Sequence, residues 1–167
     1  MKRRTALVVL AATAVLVSLS HLELRSADDS WLLWVDGRPV DAAGALSDGW
    51  LALTRDCRRV QPLPPSSAEH AHALEALRQY SPPDSRSARI TGLIGEGAWL
   101  LAQARFDGLE NAVVLLRQTP VGWAIAEGGV WSGHTHPHRP GPFIRRYLRA
   151  RVPDAPRALI DCLGAPP

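Results

Sequence analysis

Apolar residues recur along this chain with two different periods, and the change of period divides it. Between Asp41 and Arg59, the residues Leu46, Trp50, Leu53 and Cys57 fall at i, i+4, i+7 and i+11, one face of a helix. Gly44 and Gly49 weaken the early part, so the helix is expected over 47–58. From Ser66 to Tyr80 the helical period is cleaner. Ala73, Leu74, Leu77 and Tyr80 form a stripe, Ser66 and Glu69 stand at capping-box spacing, and Pro82-Pro83 stop the helix. Beyond them the period becomes two. Ser87–Ile94, Trp99–Phe106, Ala112–Gln118 and Gly122–Trp131 read as strands, separated by gaps too short for anything but antiparallel neighbours.

The flanking segments complete the pattern. Ser30 to Val40 reads as strand with an Asp36-Gly37 turn signal, and Gln61 to Pro65 as a stiff linker. After the loop that follows the last strand, Pro142 can open a helix carrying Ile144, Tyr147 and Leu148 on one side. Asp154 can cap a second, short helix that bears Cys162 and ends at Gly164. These elements predict an α+β fold: a four-stranded antiparallel meander with helices packed on one face, of cystatin-like or NTF2-like shape. Such a shape says nothing about activity.

The first residues follow a different rule. Lys2, Arg3 and Arg4 precede an uncharged apolar run from Ala6 to Leu19, and Ser18 and Ser20 stand at the −3 and −1 positions of a cut before His21. Residues 1–20 therefore read as a signal peptide, with a retained anchor over residues 5–24 as the alternative. Residues 21–29 read as a polar spacer and 30–167 as one globular domain. The segment also changes the charge picture. Removing its three basic residues from nineteen leaves sixteen, against sixteen acidic residues. A neutral domain lacks the electrostatic footprint of a nucleic-acid binder, so no nucleic-acid partner is expected. Membrane contact is expected only through an uncleaved N-terminal segment. Two cysteines in an exported chain, Cys57 and Cys162, are expected to form one disulfide.

Candidate chemistry is concentrated in His134-Thr135-His136-Pro137-His138. Alternating histidines on an extended segment point one way, so His134, His136 and His138 are candidate ligands for a divalent ion such as zinc or copper. On a straight strand all three cannot reach one ion, and a bend or an outside group is needed. Gly133-His134-Thr135-His136 resembles the terminal GHTH signature of calcineurin-like metallophosphoesterases, and His134-Thr135-His136-Pro137 is similar to the H-x-H-P core of the JAMM metallopeptidases. Each resemblance covers four residues. The upstream D-x-H and G-N-H-[DE] of the first are absent, and Ile144 and Tyr147 stand where the second places Ser and Asp, so neither family is assigned.

Arg145, Arg146 and Arg149 cluster on the first C-terminal helix and are candidate contacts for an acidic protein partner or for envelope headgroups. No G-x-S-x-G elbow or spaced catalytic triad occurs. The expected function is binding rather than catalysis, in the periplasm or outside the cell, with no obligatory cofactor. Metal binding by the histidine loop and a small periplasmic hydrolase are the alternatives.

Overall fold

The computed structural model describes residues 22–27 and 30–164; the stretch read as a signal peptide lies outside the described residues. In chain order the elements are β1 (Leu22–Ala27), β2 (Ser30–Val35), β3 (Arg38–Val40), α1 (Ala42–Thr54), β4 (Gln61–Pro62), α2 (Ala68–Tyr80), a 3-10 turn (Asp84–Ser87), β5 (Arg89–Glu96), β6 (Trp99–Arg105), β7 (Ala112–Thr119), β8 (Gly122–Ser132), α3 (Pro140–Arg151) and α4 (Arg157–Asp161). The strands form two antiparallel sheets, β1-β2-β3 and β4-β5-β6-β7-β8. The class is α+β, and the larger sheet contains the expected meander β5 to β8.

Two segments pair where no strand was expected. The spacer residues Leu22–Ala27 form β1, which lies along β2 with Leu24 opposite Leu33. Any bilayer-spanning use of residues 5–24 is thereby confined to residues before Leu22. Gln61–Pro62 form β4 at the edge of the larger sheet, opposite Gly95 and Ile94, where proline's missing N–H faces no strand. The Asp36-Gly37 signal is realised: both residues take positive φ, 50° and 75°, and fold β2 back onto β3.

The helices do not share one face of the sheet; they cover both. Leu100, Ala102, Val114 and Leu116 pack against Ala73 and Leu77 of α2. Leu101, Val113 and Leu115 pack against Ile144 and Leu148 of α3 and Leu159 and Ile160 of α4. The reason lies in the central strands. Leu100-Leu101-Ala102 and Ala112 to Leu116 are apolar in both phases of the alternation, and every one of these residues is buried. A strand with two apolar faces requires cover on each.

Helix limits shift in ways that local chemistry explains. Asp41 caps α1 by accepting the Gly44 N–H at 2.7 Å, so that helix starts before Gly44 rather than at 47, and it ends at Thr54 rather than at 58. Ser67, not Ser66, caps α2, accepting the His70 N–H at 3.1 Å. α3 opens at Pro140, and α4 follows Pro156 without a cap from Asp154. Cys57 and Cys162 form the expected disulfide, with Cα atoms 5.9 Å apart across 105 positions. It ties the segment after α1 to the end of α4.

The stripe that predicted α1 is on its outer side. Leu46, Trp50 and Leu53 are 75, 71 and 85 % exposed. The inner side carries Gly44, Leu51 and Asp48 instead. Asp48, the only charged residue of α1, accepts hydrogen bonds from Arg145 at 2.7 Å and Arg139 at 2.9 Å. Gly141 makes room for this clasp, since a Cβ there would stand 2.9 Å from the Arg145 guanidinium and 3.0 Å from the Asp48 carboxylate.

Candidate functional site

The 133–138 loop lies where β8 leaves the sheet and α3 begins. It does not run straight. The His138 N–H donates to the Thr135 carbonyl at 2.6 Å and the Thr135 hydroxyl to the His138 carbonyl at 2.9 Å, closing a turn across a cis His136–Pro137 peptide. The turn sends the three imidazoles apart. His134, mostly exposed, places Nε2 2.8 Å from Glu110. His136 is exposed. His138 is buried, with its ring 5.4 Å from that of Phe143 and Nδ1 3.9 Å from Asp41. Among the described residues, no three His, Cys, Asp or Glu side chains gather so as to hold a metal ion.

What the three histidines do share is a cleft of about 450 Å³. Its floor is the end of the sheet face that α3 leaves uncovered. Gln103, Val113 and Trp131 lie side by side across β6, β7 and β8. Thr91, Arg105 and Asn111 stand around them, and the 133–138 turn with Pro140 and Ile144 of α3 forms the opposite wall. The sheet positions are placed by the alternation itself: Trp99 and Leu101 begin the phase that Gln103 and Arg105 end, so one face of β6 passes from packed to solvated. The Thr91 hydroxyl donates to the Gln103 carbonyl at 3.2 Å, anchoring the edge of the floor.

The electrostatics of the cleft are one-sided. Arg105 and the three histidines are its only ionisable lining residues, and no carboxylate lines it. Glu110 lies outside the lining, although its carboxylate stands 2.8 Å from His134 Nε2. Asp41 is turned to structural work. One carboxylate oxygen caps α1, and the other accepts the Arg139 N–H at 2.8 Å at the start of α3. The hydroxyls of Thr91 and Thr135 donate to carbonyl oxygens.

The arginines expected to meet an acidic partner separate. Arg145 is buried in the Asp48 clasp, so it cannot belong to an open docking face. Its i+4 neighbour Arg149 pairs with Asp161 of α4. Arg146 is exposed and lies 5.0 Å over the Phe143 ring. Two of the three thus meet acids within the chain itself. Burial pushes the Asp48 carboxyl up, but the hydrogen bonds and charges of Arg145 and Arg139 outweigh it and hold the group below its ordinary 3.8.

The cleft residues Thr91, Gln103, Arg105 and Asn111 carry no motif and were not singled out in the sequence. The available signal was Gln103 and Arg105, polar residues that follow Trp99 and Leu101 in one phase of a central strand. The chain matches no protein-family model, no curated protein and no solved structure.

Proposed function

We propose that this chain is an exported, non-catalytic binding protein that takes a small anionic ligand in the histidine-rimmed cleft. The observation that carries this reading is the composition of the lining: one arginine, three histidines, two amides and no carboxylate around an indole and an isoleucine. Concave sites of this volume are the usual form of small-molecule sites, and this one sets convergent polar groups around the apolar surfaces of Val113, Trp131 and Ile144. Arg105 offers a planar fork suited to carboxylate or phosphate oxygens, and the face of Trp131 suits the ligand's carbon skeleton. Export is supported by the disulfide, which persists in oxidising compartments, and by the charge and hydropathy of the first twenty residues.

The test is calorimetric titration with citrate and with inorganic phosphate. One of the two should bind saturably, with added salt weakening it. Arg105→Gln should lower that affinity by about tenfold or more, the worth of one charge-assisted hydrogen bond. Absence of binding for both anions, or equal affinity in Arg105→Gln, overturns the reading.

A further inference from the structure

We propose that the outward face of α1 seats on the surface of a lipid bilayer, next to the point where the N-terminal apolar segment enters it. This inference is independent of the cleft.

The first observation is the inversion of α1. At ~100° per residue, Leu46, Trp50 and Leu53 fall within roughly 60° of one another, and Asp48 lies roughly 200° from Leu46. The only charge of the helix is turned inward to Arg145 and Arg139, and the outer arc carries none. A solvent-facing helix ordinarily does the reverse. Three large apolar side chains, each more than two-thirds exposed, form one stripe. An outward stripe of this kind marks an interaction surface.

The second observation selects the occupant. The described chain begins at Leu22 in β1, within the three-stranded sheet whose last strand leads through Asp41 into α1. The chain before Leu22 carries Lys2, Arg3 and Arg4 and then an uncharged apolar run, Ala6 to Leu19. If that run lies in a bilayer, β1 starts within a few residues of the interface, and α1 belongs to the part of the molecule held closest to it. The same sheet carries further exposed apolar side chains, with Leu24 64 % and Trp31 62 % exposed.

The chemistry of the stripe fits a fluid apolar phase. It is convex, so it needs no complementary groove, and an indole flanked by two leucines is the usual composition of helices lying in the interfacial plane. Arg55, Arg58 and Arg59 follow the C-terminal end of α1, with Asp56 the only acid among them. Arg58 pairs with Asp56 at 2.6 Å and Arg59 approaches Glu96 at 3.4 Å, but their side chains are 88 and 83 % exposed and remain open to anionic headgroups. The expectation that only the N-terminal segment meets the membrane is thereby extended to a second contact.

The experiment uses the full chain reconstituted into vesicles of phosphatidylethanolamine and phosphatidylglycerol, with lipids brominated at the shallow end of the acyl chain. Wild-type tryptophan fluorescence should be quenched, and Trp50→Phe should remove the larger part of that quenching. Leu46→Ser with Leu53→Ser should reduce it similarly while leaving the circular dichroism unchanged, since both positions are exposed. Quenching that is the same in Trp50→Phe as in wild type overturns the proposal. So does self-association of the detergent-solubilised chain that the double serine variant abolishes, which would assign the stripe to a second copy.

Discussion

Replacing Asp48 by alanine should loosen the joint between α1 and the rest of the protein by about 2–3 kcal/mol. Two terms make up that figure. The Arg145 side chain is 8 % exposed, and its hydrogen bond to Asp48 is charge-assisted, an interaction of about 1.5–3 kcal/mol. The Arg139 side chain is 54 % exposed, so its bond to the same carboxylate adds less than about 1 kcal/mol after screening. A fully buried pair that loses one partner costs about 3–5 kcal/mol, but Asp48 is 27 % exposed and water reaches the site. For a domain of this size, about 3 °C of melting temperature accompanies each kcal/mol, so a drop of about 6–9 °C is expected. Urea unfolding followed by circular dichroism measures the free energy directly. The folded-state carboxyl titrates below 3.8 and so binds its proton less readily than in the unfolded chain. The contribution is full above that ordinary value and is lost as pH falls through the folded-state pKa. The gap between wild type and Asp48→Ala should therefore close in strong acid. Arg145→Met combined with Asp48→Ala should recover part of the loss, because no charge is then left buried alone. A single-variant cost below about 0.5 kcal/mol, or a double variant as unstable as the sum of the singles, would refute the clasp.

Two further substitutions test the remaining architecture. Changing Cys57 and Cys162 together to serine opens a crosslink spanning 105 positions, and chain entropy puts the cost at about 4–5 kcal/mol, read as a lower urea midpoint. Leu115→Ala removes a fully buried side chain on the α3 face and should cost about 3 kcal/mol, whereas Leu53→Ala, on the outer side of α1, should stay within about 0.5 kcal/mol. Equal effects of the two leucine substitutions would contradict the assignment of inner and outer faces.

The legible parts of the fold were those in which neighbours in sequence decide the structure. The α2 helix and strands β5 to β8 are marked by local periodicity and by Pro82-Pro83, Gly97 and Gly108, and the structure places them within a few residues of expectation. The side on which helices pack was not legible, because Leu100 and Leu101 occupy opposite phases and both demand cover. The orientation of α1 was misleading for a different reason. Its stripe predicts burial if apolar area alone decides, but the inner side is held by Asp48 and an arginine 97 positions later. The histidine loop was legible as a cluster and illegible as geometry. The Thr135–His138 turn that separates the rings is made by side-chain and backbone bonds that spacing does not encode. The cleft floor draws Thr91, Gln103 and Trp131 from three strands, so no contiguous pattern announces it.

The same contacts that orient α1 also build the cleft wall. Asp41 accepts the Gly44 N–H that starts α1 and the Arg139 N–H that starts α3, and His138 closes the histidine turn beside it. Asp48 then fastens the body of α1 to Arg139 and Arg145 on α3. Two carboxylates on seven-residue spacing thus fix the helix at two points. Only one rotation of α1 satisfies both, and that rotation puts Leu46, Trp50 and Leu53 outside. The apolar stripe is not surface left over from an incomplete core; it is the necessary counterpart of the polar joint. Turning the helix to bury the stripe would break this joint, at the cost of about 2–3 kcal/mol worked out for Asp48, and would also lift the Asp41 cap from the Gly44 N–H. A partner that covers the stripe from outside, as a bilayer would, leaves both carboxylates paired and the cleft wall in place.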